Sequence, residues 1–131
     1  MRELKFRGKR RNNNKWVYGY FTKNETSGNC YITTQSVTGG ARPNGVDPVT
    51  VGEYTGFCDK NGKEAYEGDI VKWTSLYVDN IDGDPIGEIT FFKGCWFIQG
   101  KKHNGYMDNC LSFEVIGNIY ESPELLEGRT C

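Results

Sequence analysis

Along most of this chain, apolar and polar residues alternate with a period of two. No long stretch keeps the three-to-four spacing of an amphipathic helix. Leu4-Lys5-Phe6-Arg7 alternates apolar and basic and predicts a half-buried strand. Lys15 to Phe21 is an aromatic strand hairpinned to it across the polar loop Arg10 to Asn14, and Cys30 to Thr34 is a third strand after a polar turn. Val37 to Pro48, rich in Gly, Pro, Asn and Asp, predicts a loop, and Val49-Thr50-Val51 a short strand. Further on, strands are predicted at Ile70 to Trp73, Ile86 to Phe92, Cys95 to Gln99 and Leu111 to Ile116. A turn at Lys93-Gly94, an exposed loop at Tyr77 to Pro85 and a polar connection from Gly100 to Asn109 separate them. Gly117 permits a bulge. Ser122 as N-cap with Pro123 at the first helical position predicts one helical turn.

The densest turn signals fall between Tyr54 and Val71. Asn61-Gly62 is the preferred pair for a type I′ turn, in which both central residues take positive φ. The flanks Asp59-Lys60 and Lys63-Glu64 suit a solvated loop tip. Gly68 permits a second reversal, and Asp69 is expected to accept backbone hydrogen bonds that fix it. Gly56, Asn61, Gly62, Gly68, Asp69 and Gly117 are therefore the predicted fold-defining turn residues.

Strands recurring every ~8–15 residues with little helix predict a mostly-β protein. The expected layout is an N-terminal β-hairpin region over residues 1–55, packed on a small SH3-like barrel over 56–126, with a tail at 127–131, in one compact unit. A small barrel fills its interior with side chains. Trp73, Ile89, Phe91, Trp96, Ile98, Phe113 and Val115 are the candidates for that core.

Composition narrows the class. With 37% hydrophobic and 25% charged residues, the 131-residue chain reads as globular. No apolar run approaches the ~20 residues of a membrane span, and the charged N-terminus lacks the apolar segment of a signal peptide. A cytoplasmic protein with no membrane partner is expected. The five cysteines are irregularly spaced and form no CxxC, which predicts free thiols, mostly small apolar fillers. A net charge of −1 hides one asymmetry: Arg2, Lys5, Arg7, Lys9, Arg10, Arg11 and Lys15 crowd the first fifteen positions against Glu3 alone.

Candidate chemistry is sparse. His103 lies in a polar run beside lysines, where a surface role is commoner than pairing with Cys95 or Cys110. Asp79 to Asp84 fails the EF-hand pattern, with Ile81 at its third position and Asp84 at its sixth. Thr38 to Pro43 lacks the spacing of a phosphate loop. Glu67 and Asp69 flank Gly68, but a turn need not present them as an acid–base pair. No catalytic residue, metal site or cofactor is expected. The one pattern that points to a ligand is basic and aromatic: Arg7, Lys9, Arg10, Arg11, Lys15 and Trp16, near Tyr18 and Tyr20, suit phosphate contacts and base stacking. Strand-edge protection and an acidic protein partner explain the same charges.

Several blocks, taken in order, resemble the YopX-like proteins of phages and prophages. They are Arg2 to Arg7, Thr50 to Gly56, Asp59 to Glu64 with Tyr66 to Val71, and Val115 to Leu126. Departures lie in the glycine-rich Ser36 to Gly45 and the acidic loop at 79–84. The resemblance implies a mostly-β protein with an SH3-type barrel in its C-terminal part, a phage-encoded accessory role and assembly into homo-oligomers. It carries no catalytic residues onto this chain. The expected function is a non-enzymatic homo-oligomeric binding module that engages a host or phage protein; the alternative is a nucleic-acid-binding module using the basic N-terminal region.

Overall fold

The period-two alternation is realised as antiparallel strands. The computed structural model describes residues 4–35, 39–75, 85–101 and 103–126, and these form eleven strands and three short 3-10 turns. The chain divides into two units, residues 1–54 and 55–131. Each has its own apolar cluster.

In the first unit, β1 (Phe6–Lys9), β2 (Trp16–Lys23), β3 (Cys30–Gln35) and β4 (Ala41–Val46) are hydrogen-bonded in the order β4-β3-β2-β1. On the far side of β1, Gly52 and Glu53 of β5 (Gly52–Cys58) pair with Arg7 and Phe6. The chain beyond β1 then turns back onto β4. Arg10 bridges Val46, the Arg11 amide donates to the Gly45 carbonyl at 3.1 Å, and the Asp47 amide donates to the Lys9 carbonyl at 2.9 Å. The sheet therefore curls around Cys30, Ile32 and Val46, with Phe6, Val17, Phe21 and Val51 packed against them.

Two sequence expectations fail in this unit. Residues 41–46 form a strand where a loop is predicted. Pro43 is tolerated because β4 is the edge strand, where a missing donor leaves no ladder bond unmade on its outer side. Val49 to Val51 is not a strand: Pro48–Thr50 is a 3-10 turn, with Asp47 Oδ1 accepting from the Val49 amide at 3.1 Å and Pro48 fixing the first position.

In the second unit, the remainder of β5 neighbours β6 (Glu64–Tyr66). The other strands are β7 (Asp69–Ser75), β8 (Ile86–Phe92), β9 (Cys95–Gly100), β10 (Asn104–Tyr106) and β11 (Cys110–Asn118), in the order β10-β9-β8-β7-β11. An SH3-like barrel is predicted here, but among the described residues no barrel closes. The outer edge of β11 is taken by the turn after β5: the Lys60 amide donates to the Phe113 carbonyl at 3.0 Å, and Asp59 Oδ2 accepts from the Val115 amide at 3.0 Å. That edge is capped rather than paired with β10.

The core here is Ala65, Val71, Trp73, Ile89, Ile98, Met107 and Phe113, with Trp96 and Val115 half-buried against it. Phe91, predicted inside, is exposed. It shares the inward face with Ile89, but the β8–β9 hairpin runs on past the core and carries it out. The predicted polar connection at 100–109 instead contains β10 and a 3-10 turn at Met107–Asn109, which buries Met107.

The turns differ from expectation in an instructive way. Asn61 does not enter the left-handed region, whereas Gly62 does, at φ 83°. The Gly62 amide donates to the Asp59 carbonyl and the Asp59 amide to the Lys63 carbonyl, at 2.9 and 2.8 Å. This is a type I turn closed by a glycine bulge. The type I′ pair is Lys93-Gly94, with both residues at positive φ. Gly56 and Gly68 also take positive φ, and a Cβ on Gly68 would stand 3.1 Å from the Tyr120 ring. Asp69 is buried and accepts from the Tyr66 amide at 2.8 Å. Gly117 sits at a register shift of β11, and a Cβ there would stand 2.9 Å from Leu125 Cδ1 and 3.1 Å from Ser122, so those side chains would have to give. Ser122 makes no side-chain cap bond; Asn118 Oδ1 takes the amides of Tyr120 and Glu121 instead.

Candidate functional site

On β1 and β2 the alternation separates two chemistries. Phe6, Val17 and Phe21 point into the curl. The opposite face carries the directly paired residues Arg7 with Tyr18 and Lys9 with Trp16, followed by Tyr20 two residues further along. The Arg7 guanidinium lies 4.5 Å from the Trp16 ring centre and Lys9 Nζ lies 5.6 Å from it, both within cation–π range. Beyond β1 the chain is tied by hydrogen bonds from the Arg10 amide to the Lys15 carbonyl and from the Asn14 amide to the Arg10 carbonyl, each 2.9 Å, with Asn14 left-handed at φ 58°. The Arg11 guanidinium lies against Gly45, where a Cβ would come within 2.7 Å of Nη2, and Nη1 donates to Asn29 Oδ1 at 3.2 Å.

This arrangement redistributes the predicted site. Arg11 and Lys15 are exposed and Lys9 is half-buried. Arg7 is only 5% exposed, so in this conformation it supports Trp16 and does not present a cation to a phosphate. Arg10 is half-buried at the bridge to Val46. Trp16 is half-buried under the Arg7 and Lys9 cations, whereas Tyr18 and Tyr20 are 46% and 63% exposed. Strict alternation in β2 was the signal that places these tyrosines outward.

A second surface lies on β8, β9 and β10. On the face turned away from Ile89 and Ile98, the Phe92 and Phe97 rings are 5.4 Å apart and Phe97 and Tyr106 are 5.1 Å apart, making a row across three strands. Phe92 is 46% exposed. On the other face, Phe91 meets Trp96 edge to face at 5.0 Å.

The remaining groups form no reactive constellation among the described residues. A groove of about 390 Å³ is lined by residues including Phe57, Asp59, Met107, Cys110 and Phe113. Burial, helped by the charge of Asp108, pushes the Cys110 thiol up to about 11, so it stays protonated at neutral pH. Both Asp59 oxygens are occupied by backbone donors. Among the described residues Cys30 is buried and Cys110 packs half-buried against the second core, while Cys58 and Cys95 are exposed, so the expectation of mostly small apolar fillers holds for two of these four thiols. His103 is half-buried. No group of three or more His, Cys, Asp or Glu among the described residues could hold a metal. The Asp79 to Asp84 turn lies outside the described residues. So do Arg2, Glu3 and most of the predicted loop at Tyr77 to Pro85.

Glu67 acts electrostatically on Glu88. Burial, and then the Glu67 charge, raise the Glu88 carboxyl above its ordinary 4.5. A raised carboxyl disfavours the fold once it ionises, so its contribution is intact below the unfolded value and lost as pH rises through the folded one. Glu88→Gln is therefore expected to raise the melting temperature at pH 7, with the gain disappearing towards pH 4; a thermal melt at both pH values checks this.

Comparison with known proteins follows the same outline. The family described as YopX protein matches residues 5–127. A solved structure, "Crystal structure of protein EF1440 from Enterococcus faecalis", is similar with a TM-score of 0.59 and 23% identity, over 96% of this chain and 99% of that one. At that identity the likeness concerns fold. No curated protein matches. Among the described residues no helix is long and apolar enough to cross a membrane.

Proposed function

The chain belongs to the YopX protein family, and from that premise we propose that it is a non-enzymatic binding module that works as a homo-oligomer. Its place is that of a phage- or prophage-encoded accessory protein in the bacterial cytoplasm, with the strands of its second unit serving as an SH3-like scaffold for partner contacts. The observation that carries this reading is the aromatic row Phe92, Phe97 and Tyr106, together with exposed Phe91 on the other side of the same hairpin. Contiguous exposed apolar surface marks an interaction site, and a patch of aromatics at a self-complementary interface is the common route to symmetric assembly. Among the described residues β10 is an edge strand of its sheet, which sets a backbone edge beside the row.

Light scattering on the wild type should give a mass that is a multiple of 14.9 kDa. The double variant Phe91→Ser/Phe92→Ser should move towards the monomer while keeping its far-ultraviolet spectrum. An unchanged mass in the variant would remove the hairpin from the interface.

A second reading, that the protein binds nucleic acid, is favoured by a different observation: exposed Tyr18 and Tyr20 share one face of β1 and β2 with half-buried Lys9, in the unit that carries most of the chain's basic residues.

A further inference from the structure

Resting on the homo-oligomer reading, we infer that the contact between copies is a tip in a groove: the β8–β9 hairpin tip of one copy seats in the groove beside β5 and β11 of another. Both halves of the contact lie in the second unit.

The tip has the form of an anchor. Phe91, Phe92, Lys93, Gly94 and Cys95 are exposed in succession. Lys93-Gly94 makes the turn, and Phe91 pairs with Trp96 and Phe92 with Cys95 across the hairpin. Phe91 meets the Trp96 ring edge to face and Phe92 rests against Phe97, yet 52% of Phe91 and 46% of Phe92 stay exposed. These ring pairs splint the hairpin, so docking it costs little further ordering. Aromatic anchors of this kind carry much of the energy of protein interfaces.

The groove matches the tip in size and charge. Phe57, Met107 and Phe113 give it an apolar lining, and its volume is about 390 Å³. An apolar cavity of about 150 Å³ accepts one benzene ring, so the groove has room for both phenyl rings, one on each side of the turn. Its charges are Asp59 and Asp108 against Lys60, and Lys60 is paired with Glu114 at 3.6 Å. Lys93 stands at the apex of the tip, with Nζ 5.4 Å from the Phe92 ring centre. Seating the rings therefore brings a cation to exposed Asp108. Residues 55–131 hold seven Lys and Arg against thirteen Asp and Glu, a setting that favours a cationic tip. Unlike a row-on-row contact, this one joins two different patches, and every copy carries one of each.

Two native thiols mark the contact: exposed Cys95 at the tip and exposed Cys58 in the groove. A short bis-maleimide added to the wild type should give a two-chain product whose linked peptides join Cys58 to Cys95. That product should be lost in Cys58→Ser and in Cys95→Ser. Cys58→Trp fills the groove from an exposed position and should weaken self-association at least about tenfold, with an unchanged far-ultraviolet spectrum. Mixed with Phe91→Ser/Phe92→Ser, which keeps its groove, Cys58→Trp should restore a two-chain species by light scattering. An oligomeric wild type with no Cys58–Cys95 link, or with its mass unchanged in Cys58→Trp, overturns the tip-in-groove contact while the homo-oligomer stands. A single-chain product linking Cys58 to Cys131 also overturns it, by putting the C-terminus in the groove. A monomeric wild type overturns both.

Discussion

Asp59→Ala is expected to lower folding stability by about 3 kcal/mol, the loss of three charge-assisted hydrogen bonds from a buried acceptor. Asp59 is 7% exposed. Its Oδ1 accepts from the amides of Asn61 and Lys63, both at 2.9 Å, and its Oδ2 accepts from the amide of Val115 at 3.0 Å. One carboxylate thus sets the β5–β6 turn and pins it to the edge of β11. Asp59→Asn keeps one acceptor oxygen but turns an NH₂ towards a donor, so a smaller loss of about 1–2 kcal/mol is expected. Urea denaturation, read as a shift of midpoint at constant slope, measures both. A change under about 0.5 kcal/mol for the alanine variant, the range of an ordinary surface substitution, would contradict this role.

The same residue makes acid destabilisation predictable. Burial pushes the Asp59 carboxyl up, but the Val115, Lys63 and Asn61 amides and the Lys63 charge outweigh it and hold the group below its ordinary 3.8. A depressed carboxyl stabilises the fold above its unfolded value, and that stabilisation drains away as pH falls through the folded one. Wild type should lose stability on acidification below about pH 3.8 more steeply than Asp59→Ala, which lacks the group.

Gly19→Val is expected to cost about 3 kcal/mol through overpacking against backbone that cannot rotate away. A Cβ at Gly19 would fall on the Thr33 carbonyl oxygen, so β3 must move off β2 for any side chain to fit. Tyr20 pairs with Thr33 in this ladder, and the displacement would disturb the aromatic face with it. Thermal melts should show the loss. Amide exchange should show weakened protection in β2 and β3 while β7 and β11 keep theirs. Gly40→Ala is the matched control: open space surrounds it, and a change within about 0.5 kcal/mol is expected.

Most strands were legible because half-burial writes itself as alternation. β2, β3, β8, β9 and β11 lie where Trp16-Val17-Tyr18, Cys30-Tyr31-Ile32, Ile86 to Phe92, Cys95 to Gln99 and Leu111 to Ile116 place them. β4 was hidden, because Pro43 and Gly45 carry loop chemistry and only its position at an edge makes them acceptable as strand residues. The Asn61-Gly62 turn was legible in place but not in type. A local pair preference gave way to a side chain two residues upstream, whose third bond reaches Val115, fifty-six residues away in sequence. At the candidate site, charge was legible and burial was not. Arg7 and Arg11 look alike in sequence, yet one is closed over Trp16 and the other lies exposed against Gly45. Phe91 and Phe92 read as core and strand filler because nothing local says that their hairpin outruns the core.

Assembly is tested most directly by sedimentation equilibrium of the full chain across a dilution series. A homo-oligomeric binding module should hold a mass that is a fixed multiple of 14.9 kDa down to low micromolar concentration. A single 14.9 kDa species persisting to high micromolar concentration would contradict it.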